Sequence, residues 1–328
     1  MRRRQFITLL GGAAAAWPLA ARAQQPGVPV VGILSGATFE VMNDLLAWVY
    51  PGLADQGYVE NRNYTVQLRW ADDDYDRLTA LAADLVRRRV DLIFALGTAP
   101  GALAAKAATQ TIPIVFLVGT DPIASGLVPS LTRPGGNVTG ITILVVDLLA
   151  KNLSLMHELK PSAPSIAVLI NPGNRTQAET ELRDMRAAAQ ILGVRLVILN
   201  ASLPHEIDAA FATLMREGAG GLVISGETFF YAQREKLIAL AARHGVPTIY
   251  PSPGFFEAGG LMANGASQAD GYRQAGVYAG RVLKGEKPAG LPVQRATKVD
   301  LALNLKAAKA LGIMVPTSIL LRADEVIE

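Results

Sequence analysis

The chain has no cysteine and only three histidines in 328 residues. Without thiols there is no disulfide framework, no thiolate-held zinc or iron–sulfur cluster, and no cysteine nucleophile. The histidines, His157, His205 and His244, stand too far apart for a metal-binding pair. Aromatic residues make up 6% of the chain and charged residues 18%, while 50% is hydrophobic, enough to form a real core. The length suits two domains at about 100–200 residues each.

Catalytic signatures are missing as well. The nucleophile elbow requires G-x-S-x-G, and the stretches around Ser125 and Ser225 both lack its first glycine. No Walker loop is present, and the first apolar run leads into Gly32-Ile33-Leu34-Ser35-Gly36 rather than a G-x-G-x-x-G dinucleotide fingerprint. Asp72-Asp73-Asp74 could imitate a cation site, but loop acids that cap a following helix are the better reading. The sequence reads as a non-enzyme with no cofactor and no metal.

The formal charge of +3 is concentrated at one end. Arg2-Arg3-Arg4, an apolar run over 6–20 broken by Pro18, and Ala21-Arg22-Ala23 form the three-part layout of a secretory signal peptide. The run is shorter than the ~20 residues of a spanning helix. Arg3-Arg4-Gln5-Phe6-Ile7 fits a twin-arginine export motif, the alternative being an Arg-rich general secretory signal. Cleavage after Ala23 removes four of the 31 basic residues and none of the 28 acidic ones, leaving a net of −1. No electrostatic case for nucleic acid or an anionic membrane remains. The expected product is a periplasmic monomer.

From residue 28 onward, short apolar runs alternate with amphipathic segments. Strands are expected at 28–34, 64–70, 91–96 and 114–118, with a helix at 76–89 and, after a turn at 97–100, a helix to about 109 between them. A second series has helices at 148–159, 178–192, 207–217 and 230–244, and strands at 166–170, 194–200, 222–225 and 247–250. Each half is a β-α series with fully apolar strands, the pattern of a parallel sheet covered on both faces. The fold class is therefore α/β, with two doubly wound Rossmann-like lobes. Pro51 should kink or restart the first helix near 50–52.

Three Gly/Pro-rich passages, 132–140, 259–265 and 285–297, are expected to carry the chain between lobes as a three-crossing hinge. The expected division is a leader at 1–23, lobe 1 at 24–141 plus about 264–289, and lobe 2 at 142–263 plus about 290–328. Doubly wound sheets bind ligands beyond the carboxyl ends of their strands. There the sequence places Ser35, Gly36, Gly97, Thr98, Thr120, Asp121, Asn171, Ser225, Glu227 and Tyr250. Helix N-termini and hydroxyls suit a carboxylate, and Asp121 or Glu227 an amine, so a small polar organic ligand is expected between the lobes.

Gly57-Tyr58-Val59-Glu60, Arg69-Trp70-Ala71, Tyr75-Asp76-Arg77-Leu78, Asp121-Pro122, the 133–140 stretch RPGGNVTG and the tail Ala323-Asp324-Glu325-Val326 together resemble one family of ABC transporter substrate-binding proteins. The resemblance spans essentially the whole chain after the leader. It implies a type I periplasmic-binding-protein fold, a small-molecule ligand, and an ABC permease with its ATPase as partners. Some members take tryptophan or tyrosine. Where the family commonly has Met-Ser-Tyr-Gly, this chain has Met262-Ala263-Asn264-Gly265. Asn264 thus joins the candidate ligand-binding residues, and the ligand is not carried over from relatives. The alternatives are a ligand-sensing module for a receptor and, less well supported, an exported hydrolase.

Overall fold

The runs Leu92–Leu96 and Ile114–Val118 are buried at every residue, because helices cover both faces of their sheet. A computed structural model describes residues 27–143, 146–296 and 299–328. The expected leader lies outside them.

The first sheet contains β1 (Val30–Ser35), β2 (Thr65–Trp70), β3 (Leu92–Leu96), β4 (Ile114–Val118), β5 (Val138–Thr142) and the short β11 (Gln294–Arg295), in the order 2-1-3-4-5-11. Every pairing is parallel; Ile33, for example, lies between Leu68 and Phe94. Helices α1 (Phe39–Asp55), α2 (Leu78–Arg87) and α3 (Ala99–Ala108) connect its strands. The second sheet contains β6 (Ser165–Ile170), β7 (Arg195–Asn200), β8 (Leu222–Ile224), β9 (Thr248–Tyr250), β10 (Met262–Ala266), β12 (Val299–Asn304) and β13 (Glu325–Ile327), in the order 7-6-8-9-10-12-13. Only β10 and β12 pair antiparallel. Its connecting helices are α4 (Val146–Leu159), α5 (Arg175–Leu192), α6 (Glu206–Glu217), α7 (Thr228–Ala232), α8 (Arg234–His244) and α9 (Pro253–Glu257). Helix α10 (Gln268–Leu283) follows β10 but packs on α1 and on β3–β5, so it belongs to the first lobe.

Local chemistry accounts for most boundaries. Asp74 caps the single 3-10 turn before α2 by accepting from the Asp76 amide, and Asp84 near the end of α2 gathers Arg69, Arg87 and Arg88. Those guanidiniums hold its carboxyl well below the usual range. Gly193, Gly218 and Gly245 end α5, α6 and α8 in the left-handed conformation that glycine accepts without strain.

Several expectations change. Helix α1 runs unbroken through Pro51. Pro51 and Ala47, whose carbonyl loses its helical donor, are both exposed, so water can satisfy that group. On the opposite face Gly52 meets α10 at Gly276. A Cβ on Gly52 would lie 2.0 Å from the Arg273 carbonyl oxygen, and one on Gly276 2.2 Å from that of Val49. The expected helix at 230–244 is two helices, Thr228–Ala232 and Arg234–His244, parted at Gln233, whose backbone (φ −94°, ψ 15°) leaves the helical region.

The third Gly/Pro-rich passage runs into a crossing, the one after β11, whereas the first two end inside strands just before theirs. The first holds the start of β5 and the second most of β10, where Gly140 and Gly265 let neighbouring backbone approach: a Cβ would lie 2.1 Å from the Phe116 oxygen and 1.7 Å from the Pro251 oxygen. The chain passes between sheets after β5, after β10 and after β11. The expected boundary near 290 moves beyond 295, since Gln294 and Arg295 pair with Ile141 and Thr142 of the first sheet.

Candidate ligand-binding cleft

Both sheets share the 2-1-3-4-5 order, with β6 standing in the second where β1 stands in the first. In such a sheet the first strand sends its connection one way and the third the other, which opens a crevice between their carboxyl ends. In lobe 1 those ends carry Ser35-Gly36 and Gly97-Thr98; in lobe 2 they lead to Asn171–Asn174 and Ser225–Glu227.

The two crevices face each other and are joined. The Tyr75 hydroxyl, from the turn after β2, donates to Glu227 Oε2 at 3.1 Å across the lobes. Thr228 Oγ1 donates to the Gly97 carbonyl at 3.4 Å, and Arg234 of α8 sits 3.7 Å from Asp44 of α1. Gly97 has φ +93°, and a Cβ there would stand 3.1 Å from Thr228 Oγ1, so glycine is required where the lobes meet. The lobes are in a closed arrangement.

Glu227 is 4% exposed. It accepts from Asn174 Nδ2 as well as Tyr75, and Asn174 and Gln177 lead on to Glu181, which accepts from Ser225 Oγ at 2.7 Å. Burial pushes both carboxyls up, Glu181 to about 7 and Glu227 to about 7, against their hydrogen bonds. Asp73, beside Tyr75 in sequence, is raised to about 6 by burial and by Asp72. Among the described residues no lysine or arginine forms an ion pair with any of these three.

Two helices begin at this junction without a side-chain cap: α3 after Thr98 and α5 after Asn174. Thr98 Oγ1 and Asn174 Oδ1 are buried with no hydrogen-bond partner, as are Thr120 Oγ1 and Ser252 Oγ at the ends of β4 and β9. Buried polar atoms are normally paired, so orphaned acceptors beside free helix N–H groups mark a place for a polar ligand.

The structure sorts the sequence candidates. Gly36, Gly97, Thr98, Ser225 and Glu227 lie at the junction; a Cβ on Gly36 would touch the Tyr75 ring at 2.5 Å and Thr98 Oγ1 at 3.2 Å. Thr120 presents a free hydroxyl, and Ser35 is fully buried, accepting from the Ala37 amide. The other four are otherwise engaged. Asp121 Oδ1 accepts from the amides of Ile123 and Ala124, a turn cap. Asn171 is held by Gly173 N and Ser202 Oγ. Tyr250 stacks on Phe255 at 5.0 Å in the core of lobe 2. Asn264 pairs with Asn152 of α4. The departure at 263–264 therefore bears on how α4 packs on β10.

Four residues at the centre, Tyr75, Asn174, Gln177 and Glu181, are absent from the sequence candidates. Asn174, Gln177 and Glu181 follow i, i+3, i+7 along one face of α5, so a polar stripe beside the apolar one was a readable signal. Tyr75 had none beyond its place in a family motif. The acid run beside it forms no metal site: among the described residues no group of acids and histidines could hold an ion.

Two facing lobes, each with its switch point at a shared cleft, define a binding protein of the type I periplasmic class, and solved structures of that class share the fold. The sequence profile of the ABC transporter substrate binding protein family matches residues 28–327, and the chain belongs to that family. A tyrosine-binding protein of Clostridioides difficile is 28% identical over 260 residues, covering 79% of this chain and 74% of that one. A conserved domain protein from Vibrio cholerae superposes with a TM-score of 0.81 at 27% identity, covering 92% of this chain and all of the other. An ABC domain from Streptococcus pneumonia in complex with L-Trp gives 0.77 at 25% identity, over 90% of this chain and all of the other.

Proposed function

We propose that the protein is the exported solute-binding component of an ABC importer. It captures an amine-bearing carboxylate of the amino-acid class between its lobes and delivers it to a membrane permease powered by its ATPase. Glu227 carries this reading: a buried carboxyl at the lobe junction, without a cation among the described residues, is matched by a ligand ammonium. The uncapped starts of α3 and α5, with Thr98 beside them, suit the ligand's carboxylate. The tyrosine-binding relative and the L-Trp complex support the class, and Asn264, held against α4, is no obstacle to an aromatic side chain. Export through a leader cleaved after Ala23 accompanies this role, and among the described residues no helix is long and apolar enough to cross a membrane.

The test is a thermal-shift screen of the twenty amino acids, aromatic ones first, beside analogues lacking the amine or the carboxylate, with calorimetry on each hit. The reading expects both groups to be needed. Binding that survives loss of the amine would overturn it.

A further inference from the structure

The cleft carboxyl is not alone: it is one end of a side-chain chain that runs into lobe 2. From lobe 1, Tyr75 donates to Glu227, which also accepts from Asn174. Asn174 Nδ2 reaches Gln177 Oε1 at 3.2 Å, and Gln177 Nε2 donates to Glu181 Oε1 at 2.8 Å. Glu181, 1% exposed, ends the chain, with Ser225 Oγ within 2.7 Å of both its oxygens. Gln177 Nε2 also donates to the Gly226 carbonyl at 3.3 Å, tying the chain to the loop that carries Glu227. Three elements thus contribute: α5 and the residue that precedes it supply Asn174, Gln177 and Glu181, the loop after β8 supplies Ser225 and Glu227, and lobe 1 supplies Tyr75 with Asp73 nearby.

We propose that Glu181 is a positioning residue for ligand capture: it shares a single proton with Glu227 and keeps that proton when a cationic ligand arrives, so that Glu227 meets the ligand as a carboxylate. The proposal rests on the reading that Glu227 receives the ligand's amine. Two buried carboxylates repel each other, and no lysine or arginine among the described residues forms an ion pair with either. One proton is therefore retained in the empty closed form. Glu181 is the place to keep it when a ligand binds, because a protonated Glu181 still accepts from Gln177 and can donate to Ser225, whose hydroxyl rotates to suit. Asp73, raised by burial and by Asp72, adds negative potential from lobe 1 and strengthens the retention.

The experiment reads the carbonyl stretch of a buried protonated carboxylic acid by infrared difference spectroscopy at pH 7, in the ligand-free protein. Wild type is expected to show the band, and Glu181→Gln to show it weakened and titrating at lower pH, because burial still raises Glu227 but the like charge of Glu181 is gone. Absence of the band in wild type, or a Glu181→Gln band of unchanged strength and titration, would overturn the proposal. Ser225→Ala is the second variant: it removes a donor to the Glu181 carboxylate, so the band should persist to higher pH, and an unchanged titration counts against the proposal. With saturating L-tyrosine as the probe, the wild-type band should remain, and its loss on binding would also sink the idea. If L-tyrosine does not bind, that result bears on the ligand class alone, because the ligand-free spectra decide the proton's place.

Discussion

Tyr75 and Glu227 lie 152 positions apart, in different lobes, yet the tyrosine hydroxyl stands 3.1 Å from the glutamate oxygen. The bond can form only when the lobes are shut, because its two ends ride on different sheets. Burial and the neighbouring Glu227 and Asp73 hold the Tyr75 hydroxyl well above its ordinary range, so it stays a donor at any working pH.

Removing that hydroxyl should open the empty clamp. A hydrogen bond to a charged group contributes about 1.5–3 kcal/mol, roughly a ten- to hundredfold shift in the closed-to-open ratio. Small-angle scattering of ligand-free Tyr75→Phe is expected to give a larger radius of gyration than wild type. Equal radii would show that the bond does not hold the lobes together.

Ligand affinity should separate the two acids named from the sequence. Glu227→Gln should weaken an amino acid by about ten- to a hundredfold, the worth of a charge-assisted hydrogen bond. Thr98→Ala, which removes an unpartnered buried hydroxyl, should cost a few-fold. Asp121→Asn keeps the acceptor that caps Ile123 and Ala124, and calorimetry should find it within about twofold of wild type.

Stability should fall as pH rises across the neutral range. Glu181 and Glu227 titrate near an ordinary 4.5 when unfolded and near about 7 when folded. Between those values the folded state holds protons that the unfolded chain has released, so each unit of pH favours unfolding. Carboxyls held low by arginine, such as Asp84 and Glu286, act below their ordinary values and outside this window. Differential scanning fluorimetry from pH 5 to 7.5 should show the decline. Glu181→Gln should flatten it by on the order of 1–3 kcal/mol. A parallel curve for the variant would count against the coupled pair.

The crossing of α1 and α10 should tolerate no side chain. Gly52→Ala and Gly276→Ala each place a methyl 2.0–2.2 Å from backbone oxygen, and overpacking of this kind costs about 1–3 kcal/mol. Chemical denaturation measures it, and a loss under about 0.5 kcal/mol would mean the helices part easily.

The exported form should begin at Gln24. Intact-mass analysis of periplasmic material checks this, and a mature start far from Ala23-Gln24 would remove the leader from the account.

The sequence alone determined the α/β class and the placement of most strands, because strands such as Ile114–Val118 are buried on both faces and must be apolar throughout. It also located Gly97, Thr98, Ser225 and Glu227, which sit at strand ends where turn chemistry is local. Strands β5 and β10 were hidden, since the glycines at 140 and 265 that admit neighbouring backbone read as loop. The matching order of the two sheets left no repeat in the sequence, because sheet order depends on which strands pair rather than on which residues recur. Only the tertiary structure decided that Asp121 caps a turn while Glu227 crosses the cleft, and that Tyr75, Asn174, Gln177 and Glu181 form one chain with it. The physical reason is distance: each of those bonds beyond α5 joins segments from separate strands, and a local pattern carries no record of which strand ends the fold brings together.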